Sequence, residues 1–392
     1  MTEDARTDLD FLPEALVEAM LLKQKEMIEK IECTMKNLSF SKKKLRNRLI
    51  ELGYLKRYSD FVEVKRYPTT CGVDGTYSII KQLSIDSISI AAVAVEGLIP
   101  PRETRYWEKP HHLMEAFPVT HSPKTIDLCR HLMFSFELEL AVHAPHRVIF
   151  LDGSLTSQLI ALGQGLAAID EGRIEAPKVL ADLVEDRLAT TLKNYLTVLT
   201  SPRVDRLFVG VPKYTSRTEI IEELKKKNNL PILSNCDDKG LLSIVLEPGD
   251  IVGPVELQKP KSPWHISGLN STRRNQFLNL KENVVNALND LHVVYFKPTE
   301  THPALRVEIN GSVIANKRKL SILLEALFDQ TTIPGVFEPY PLYIADLFVK
   351  HIHGGLFELR EAALSELGRT REIDVADFYL SLHDYRTESG FE

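Results

Sequence analysis

The chain has 392 residues, of which 44% are hydrophobic and 26% charged, so it contains enough apolar sequence for a sizeable core and an ordinary charge content for a globular protein. Its net charge of −6 argues mildly against nucleic-acid binding, because phosphate contacts favour basic surfaces, but a local basic groove is not excluded. The four cysteines form no CxxC pair, which argues against a zinc site or a disulfide framework. We find no signal-peptide pattern and no apolar stretch that could span a bilayer, and therefore expect a cytoplasmic protein with no membrane contact.

The N-terminal part, from residue 13 to about 57, is predicted to be helical because apolar residues recur at helical spacing. This stripe comprises Leu16, Met20, Met27, Ile31, Met35 and Leu38. We interpret it as a helix face that packs on its own domain, and the alternative is a helical arm that pairs with another subunit. A basic run follows, which is either a solvated face or a DNA contact, and it comprises Lys42, Lys43, Lys44, Arg46, Arg48, Lys56 and Arg57.

The rest of the chain alternates between strand-like and helical patterns. Strands are predicted at 78–81, 84–90, 91–97, 147–151, 207–211, 241–246, 293–296 and 305–309, the first three as an antiparallel meander. Helices are predicted at 124–143, 176–200, 220–228, 316–328 and 342–351, and over the last 40 residues. This order predicts an α/β fold with a mixed sheet flanked by helices.

Two aspartates share the same local pattern. Asp74 lies in V-D-G and Asp152 in L-D-G, and each follows an apolar, strand-like segment. A carboxylate at a strand end is held rigidly, and the glycine lets a phosphate or metal approach the backbone closely. Brought together on neighbouring strands, the two would offer the oxygen ligands that a hard divalent cation needs, although Asp-Gly alone is also an ordinary turn dipeptide.

Four further charged residues are candidates for an inward or functional position. Glu137 and Glu139 lie in an apolar helical segment and are two residues apart, so at most one faces inward, and we favour Glu137. Lys213 follows the strand at 207–211, where it could neutralise charge that develops on a phosphate, or could be a surface lysine. Asp346 is the only charged residue between Glu338 and Lys350, which makes an inward position plausible.

The order of these motifs resembles that of the NurA nucleases. The resemblance covers roughly residues 67–355 and is carried by V-D-G near residue 74, F-L-D-G-S-L at 150–155, V-G-V-P-K-Y-T at 209–215, L-R-V-E-I at 305–309 and P-Y-P-L-Y-I-A-D at 339–346. It implies an RNase H-like core and cleavage of DNA with Mn²⁺ or Mg²⁺, with two metal ions in the mechanism. Carried over residue by residue, the metal ligands are Asp74, Glu137 (or Glu139), Asp152 and Asp346, with Lys213 as a further catalytic residue.

The resemblance also implies partners. Family members act as dimers with a HerA-type hexameric ATPase that translocates DNA, and the absence of a P-loop motif here fits that division of labour. We therefore expect a homodimeric DNA nuclease that works with such a translocase in DNA end processing or anti-phage defence. Two alternatives remain open: a non-catalytic RNase H-like binding subunit, and an enzyme that cuts RNA or RNA–DNA hybrids. The expected domains are an N-terminal helical, partly basic segment (1–66), the nuclease domain (67–355) and a C-terminal helical extension (356–392).

Overall fold

One large sheet organises the chain. The structure is a computed structural model that describes residues 12–62, 66–82, 85–98, 105–170, 176–226, 236–269 and 272–370. Within these residues, nine strands form one sheet in the order β1-β7-β8-β9-β6-β5-β2-β3-β4. The strands are β1 (Leu55–Arg57), β2 (Thr70–Lys81), β3 (Asp86–Glu96), β4 (His111–Val119), β5 (Val148–Asp152), β6 (Leu207–Val211), β7 (Asp250–Glu256), β8 (Leu291–Phe296) and β9 (Leu305–Asn310).

Helices cover both faces of this sheet. They are α1 (Glu14–Glu51), α2 (Thr125–His143), α3 (Ser157–Asp170), α4 (Lys178–Thr200), α5 (Glu219–Lys225), α6 (Asp238–Val245), α7 (Leu278–Leu288), α8 (Gly311–Ile314), α9 (Lys317–Gln330) and α10 (Tyr340–Thr370). Only the β2–β5 and β5–β6 pairs are parallel, and the other pairings are antiparallel. The predicted mixed sheet flanked by helices is therefore confirmed.

The short central strands are buried on both sides. In β5, Ile149 and Leu151 pack into the core shared with α2, α3 and α4, whereas Val148 and Phe150 pack into a second core shared with α9. Successive side chains of a strand point to opposite faces, so one continuous apolar run supplies both cores. Helix α10 packs on β2 and β3, where Val93 and Val95 contact its residues Ala345 and Val349. The sheet is thus a rigid platform with α2 on one face and α10 on the other.

Some predicted elements were wrong. The segments 84–90 and 91–97 form one strand, β3, so the meander consists of β2, β3 and β4, and β4 was not predicted. The apolar run at 241–246 belongs to helix α6 rather than to a strand, because a run this short fits a buried helix turn equally well. Helices α3, α7 and α8 and strand β7 were not predicted, and strand β1 lies at the end of the segment that was predicted to be helical. Residues 371–392 of the predicted C-terminal helix lie outside the described residues, and no described helix is long and apolar enough to cross a membrane.

The apolar stripe of α1 does not pack on its own domain over most of its length. Leu16, Met20, Met27 and Ile31 are each about half exposed, whereas Leu45 and Leu49 near the end of α1 are buried. The preferred interpretation of the stripe was therefore wrong for the first four residues, and the side chains of Met35 and Leu38 lie outside the described residues.

Part of the basic run also has a structural role. Arg46 and Arg57 both pair with the buried Asp250, which ties α1 and β1 to β7, and Arg48 pairs with Glu51.

Candidate metal centre

Asp74 and Asp152 lie side by side on two parallel strands. The register pairs Val73 of β2 with Leu151 of β5, and the two aspartates are the next residues along each strand. Asp152 ends β5, as predicted. Asp74 lies inside the longer β2, so the expectation that it ends a strand was wrong, and its backbone is held on the other side by pairing with Val93 of β3. The sheet therefore fixes both carboxylates at the point where β5 stops.

Asp346 reaches the same point from α10. This helix begins directly over β2, because Gly72 has no side chain there: an added Cβ would lie 2.4 Å from the Leu342 nitrogen. The close approach brings the second turn of α10 over the end of β5. Carboxylate oxygens of Asp74, Asp152 and Asp346 then lie within 4.8 Å of one another.

Glu137 approaches from the opposite face. Asp74 and Gly75 are successive strand residues, so they face opposite sides of the sheet. An added Cβ at Gly75 would lie 2.5 Å from Oε1 of Glu137, which shows that this side chain lies beneath β2 on the α2 side. Glu139 instead pairs with Arg187 of α4. Of the two glutamates, Glu137 is therefore the one beside β2, on the opposite face of the sheet from the group of three aspartates.

Burial makes the ionised forms of Asp74 and Glu137 energetically unfavourable in the metal-free protein. Desolvation, followed by repulsion from Asp152, raises the pKa of Asp74 to about 7, although the nearby Lys213 and the Gly75 N–H, which donates to Asp74 Oδ1 at 2.8 Å, oppose the rise. Desolvation also raises the pKa of Glu137 well above its usual range, with Asp74 and Asp152 adding to the rise. Several carboxyl groups with raised pKa values close together are typical of a cation-binding site.

Lys213 lies among the carboxylates on the side of β6. Its Nζ is 3.2 Å from Asp152 Oδ2, from Glu338 Oε2 and from Asp346 Oδ1. Partial burial lowers the pKa of Lys213, but these three carboxylates outweigh burial and hold the pKa above its ordinary value. Lys213 is therefore positively charged. Its backbone is anchored by Lys239, whose Nζ donates to the Lys213 carbonyl at 2.5 Å.

Asp346 is held by two cations. Desolvation raises its pKa, but hydrogen bonds from Lys350, at 2.5 Å, and from Lys213 outweigh desolvation and hold the pKa below its usual value. Asp346 is therefore ionised under conditions in which Asp74 is partly protonated.

A buried carboxylate on β9 holds the loop that follows Asp152. Glu308 accepts hydrogen bonds from Ser154 Oγ at 2.7 Å and from the Leu155 N–H at 3.0 Å. Its other oxygen contacts the fully buried Arg306, which also binds both oxygens of Glu219. The loop is therefore fixed to the sheet through charged groups that water does not reach, and such bonds are stronger than neutral ones.

Sequence reasoning assigned no role to Glu338 or Lys350, which both contact the charged groups of the site. Glu338 was noted only as the limit of a charge-free stretch, and nothing local marks it as a partner of a lysine 125 positions earlier. Lys350 was detectable, since it lies four residues after Asp346 and i,i+4 charges share a helix face.

The donor set fits a hard divalent cation. All three grouped ligands are carboxylates, which suit Mg²⁺ or Mn²⁺ better than a thiolate-preferring metal. Glu137 Oε2 is buried and has no hydrogen-bond partner among the described residues, so one carboxylate oxygen on the α2 face of β2 is left without a donor.

A family model and several solved structures resemble this chain. A family model described as the NurA domain matches residues 68–350. The solved NurA nuclease from Sulfolobus solfataricus is 14% identical, with a TM-score of 0.56 over 92% of this chain and 99% of that one. A structure of NurA bound to dAMP and manganese is 12% identical, with a TM-score of 0.54 over 90% of this chain and 99% of that one. At such identities the structural likeness shows the fold alone. No curated protein sequence matches significantly.

Proposed function

The chain belongs to the NurA family, and we propose that it is a divalent-metal-dependent nuclease that cuts DNA. The family and the solved structures support a nuclease. The observation that carries the metal-dependent part is the meeting of Asp74, Asp152 and Asp346 oxygens within 4.8 Å on three different elements. A solved family structure that holds dAMP and manganese supports the binding of a nucleotide and of the same metal by this chain.

Asp74, Asp152 and Asp346 would hold Mn²⁺ or Mg²⁺, and Glu137 would complete the site from the α2 face. Such ions would activate the attacking water and stabilise the leaving 3′ oxygen, and the mechanism we favour uses two of them. Lys213 would place its ammonium beside the scissile phosphate, where it offsets the charge that develops in the transition state. The sheet and α10 hold these groups before substrate arrives, so little reorganisation is needed during the reaction.

The family resemblance and the sequence extend the proposal to partners. We infer a HerA-type hexameric translocase as the source of DNA, because the chain has no P-loop of its own. We also infer a homodimer, to which the exposed apolar residues of α1 could contribute, since a stripe of half-exposed Leu, Met and Ile residues is typical of an interaction surface. The task would be DNA end processing or defence against phage DNA.

Cleavage assays test the proposal directly. Linear duplex DNA, single-stranded DNA, RNA and an RNA–DNA hybrid are incubated with the protein in manganese, magnesium or EDTA, with and without the translocase. We expect metal-dependent cleavage of DNA by the wild type, at least about 10²-fold slower cleavage by Asp74→Ala, and stimulation by the translocase. Preferential cleavage of RNA or the hybrid would favour the alternative substrate. A folded wild type that cuts nothing even with the translocase would favour a binding subunit.

A further inference from the structure

Two exposed aromatic side chains stand directly beside the candidate metal centre. Tyr214 follows Lys213 in the chain and is 94% exposed. Phe337 precedes Glu338 and is 55% exposed. The charged neighbours meet at 3.2 Å, between Lys213 Nζ and Glu338 Oε2, so the two residues that carry the rings each lie next to one partner of this contact. They come from separate segments, one after β6 and one before α10.

The backbone before Tyr214 and the ring of Phe337 are both anchored. The turn at 212–213 is held by Lys239, whose Nζ donates to the carbonyls of Pro212 and Lys213. On the other side, the Phe337 ring packs edge-on against the buried His302, with 5.8 Å between ring centroids. An exposed aromatic ring on an anchored backbone loses little conformational entropy when a flat partner stacks on it.

We propose that Tyr214 and Phe337 stack on unpaired bases of the DNA strand whose phosphate lies at the metal centre, and so favour single-stranded or frayed ends over intact duplex. This inference rests on the proposed nuclease function. A phosphate at the carboxylates and Lys213 places its neighbouring nucleotides at this rim. Bases in a duplex already stack on each other, whereas an unpaired base exposes its faces and stacks on aromatic rings whatever its sequence.

Fluorescence of 2-aminopurine tests the stacking. The analogue replaces one base at a time along a 12-nucleotide single strand, and protein is titrated in calcium, with intactness of the DNA checked on a gel of the same samples. Stacking quenches the wild-type complex at one or two positions. We expect Tyr214→Ala and Phe337→Ala to lose that quenching and to bind the strand about 5- to 150-fold more weakly, which corresponds to one stacked base.

Ring-preserving variants and a distant control make the test specific. Tyr214→Phe and Phe337→Tyr should keep the quenching. Tyr106→Ala removes a ring that is 60% exposed and lies beside His146, at the other end of β5 from Asp152, and should bind as the wild type does. The ratio of single-strand to blunt-duplex affinity should fall in the two alanine variants.

Absence of quenching in the wild type, or alanine variants with unchanged single-strand affinity, would overturn the proposal. If the same wild-type protein nevertheless cuts DNA in manganese, only the stacking inference fails. If it cuts no DNA, the proposed function fails as well.

Discussion

Gly72 of β2 and Leu342 of α10 are in contact at a distance that only glycine permits, since an added Cβ would lie 2.4 Å from the Leu342 nitrogen. This contact sets the height of α10 over the sheet, and with it the position of Asp346. The metal centre therefore depends on a packing contact that carries no chemistry of its own.

Gly72→Ala should displace α10 and weaken the site. Backbone atoms of Pro341 and Leu342 leave no room for the methyl group, and overpacking typically costs about 1–3 kcal/mol. We expect a lower Tm together with weaker manganese binding. Gly354→Ala is the matched control, because this glycine lies in α10 with nothing within 4 Å, and alanine there should leave binding unchanged. A Gly72→Ala protein with normal manganese affinity would show that α10 does not set the site.

Asp74→Asn should stabilise the metal-free protein in a pH-dependent way. The pKa of Asp74 is about 7 in the folded protein, against 3.8 without the fold, so its ionised form opposes folding. This cost is absent below pH 4, grows between pH 4 and 7, and is constant above pH 7, with a ceiling of about 4 kcal/mol. Thermal unfolding in EDTA should show variant and wild type converging near pH 4 and furthest apart at pH 8. An equal difference at pH 5 and pH 8 would contradict the raised pKa.

Lys213→Met should separate metal binding from catalysis. Its ammonium shares the Asp152 and Asp346 oxygens with any bound cation, so removing it should tighten manganese binding. Cleavage should nevertheless slow by about 10²–10³-fold, the usual loss for one group that stabilises transition-state charge. Calorimetry and single-turnover cleavage measure the two effects. Lys259→Met, at an exposed lysine paired with Glu256, should change neither. Weaker manganese binding in Lys213→Met would argue against this competition.

Glu308→Ala should weaken the site through the loop that follows Asp152. The Ser154 hydroxyl and the Leu155 N–H would lose their acceptor. Loss of a group that orients metal ligands typically lowers metal affinity about 10–100-fold. Glu308→Gln keeps an acceptor oxygen and should retain part of the affinity. Glu219→Gln perturbs the same buried Arg306 network without touching this loop, and should lower Tm while manganese affinity is kept. Equal losses of affinity in Glu308→Ala and Glu219→Gln would mean that the effect is general destabilisation.

How much the sequence predicted depends on the range of the interactions involved. The order of strand-like and helical patterns predicted the fold class, and the two Asp-Gly motifs after apolar segments predicted the aspartate pair, because all of these are local signals. Strand β4 was missed because its Pro118 and two histidines look like loop residues, yet proline is tolerated on an edge strand. The place of Glu338 depends on how the segment before α10 meets β6, which no local pattern encodes.

The most direct test of the central claim is a calorimetric titration of manganese into wild type and Asp152→Asn. Asp205→Asn is the matched control, because Asp205 is an exposed aspartate in an ion pair with Arg203. We predict saturable binding by the wild type and by Asp205→Asn, and loss of most of that binding in a folded Asp152→Asn protein. Equal manganese binding by wild type and Asp152→Asn would contradict a metal centre at the end of β5.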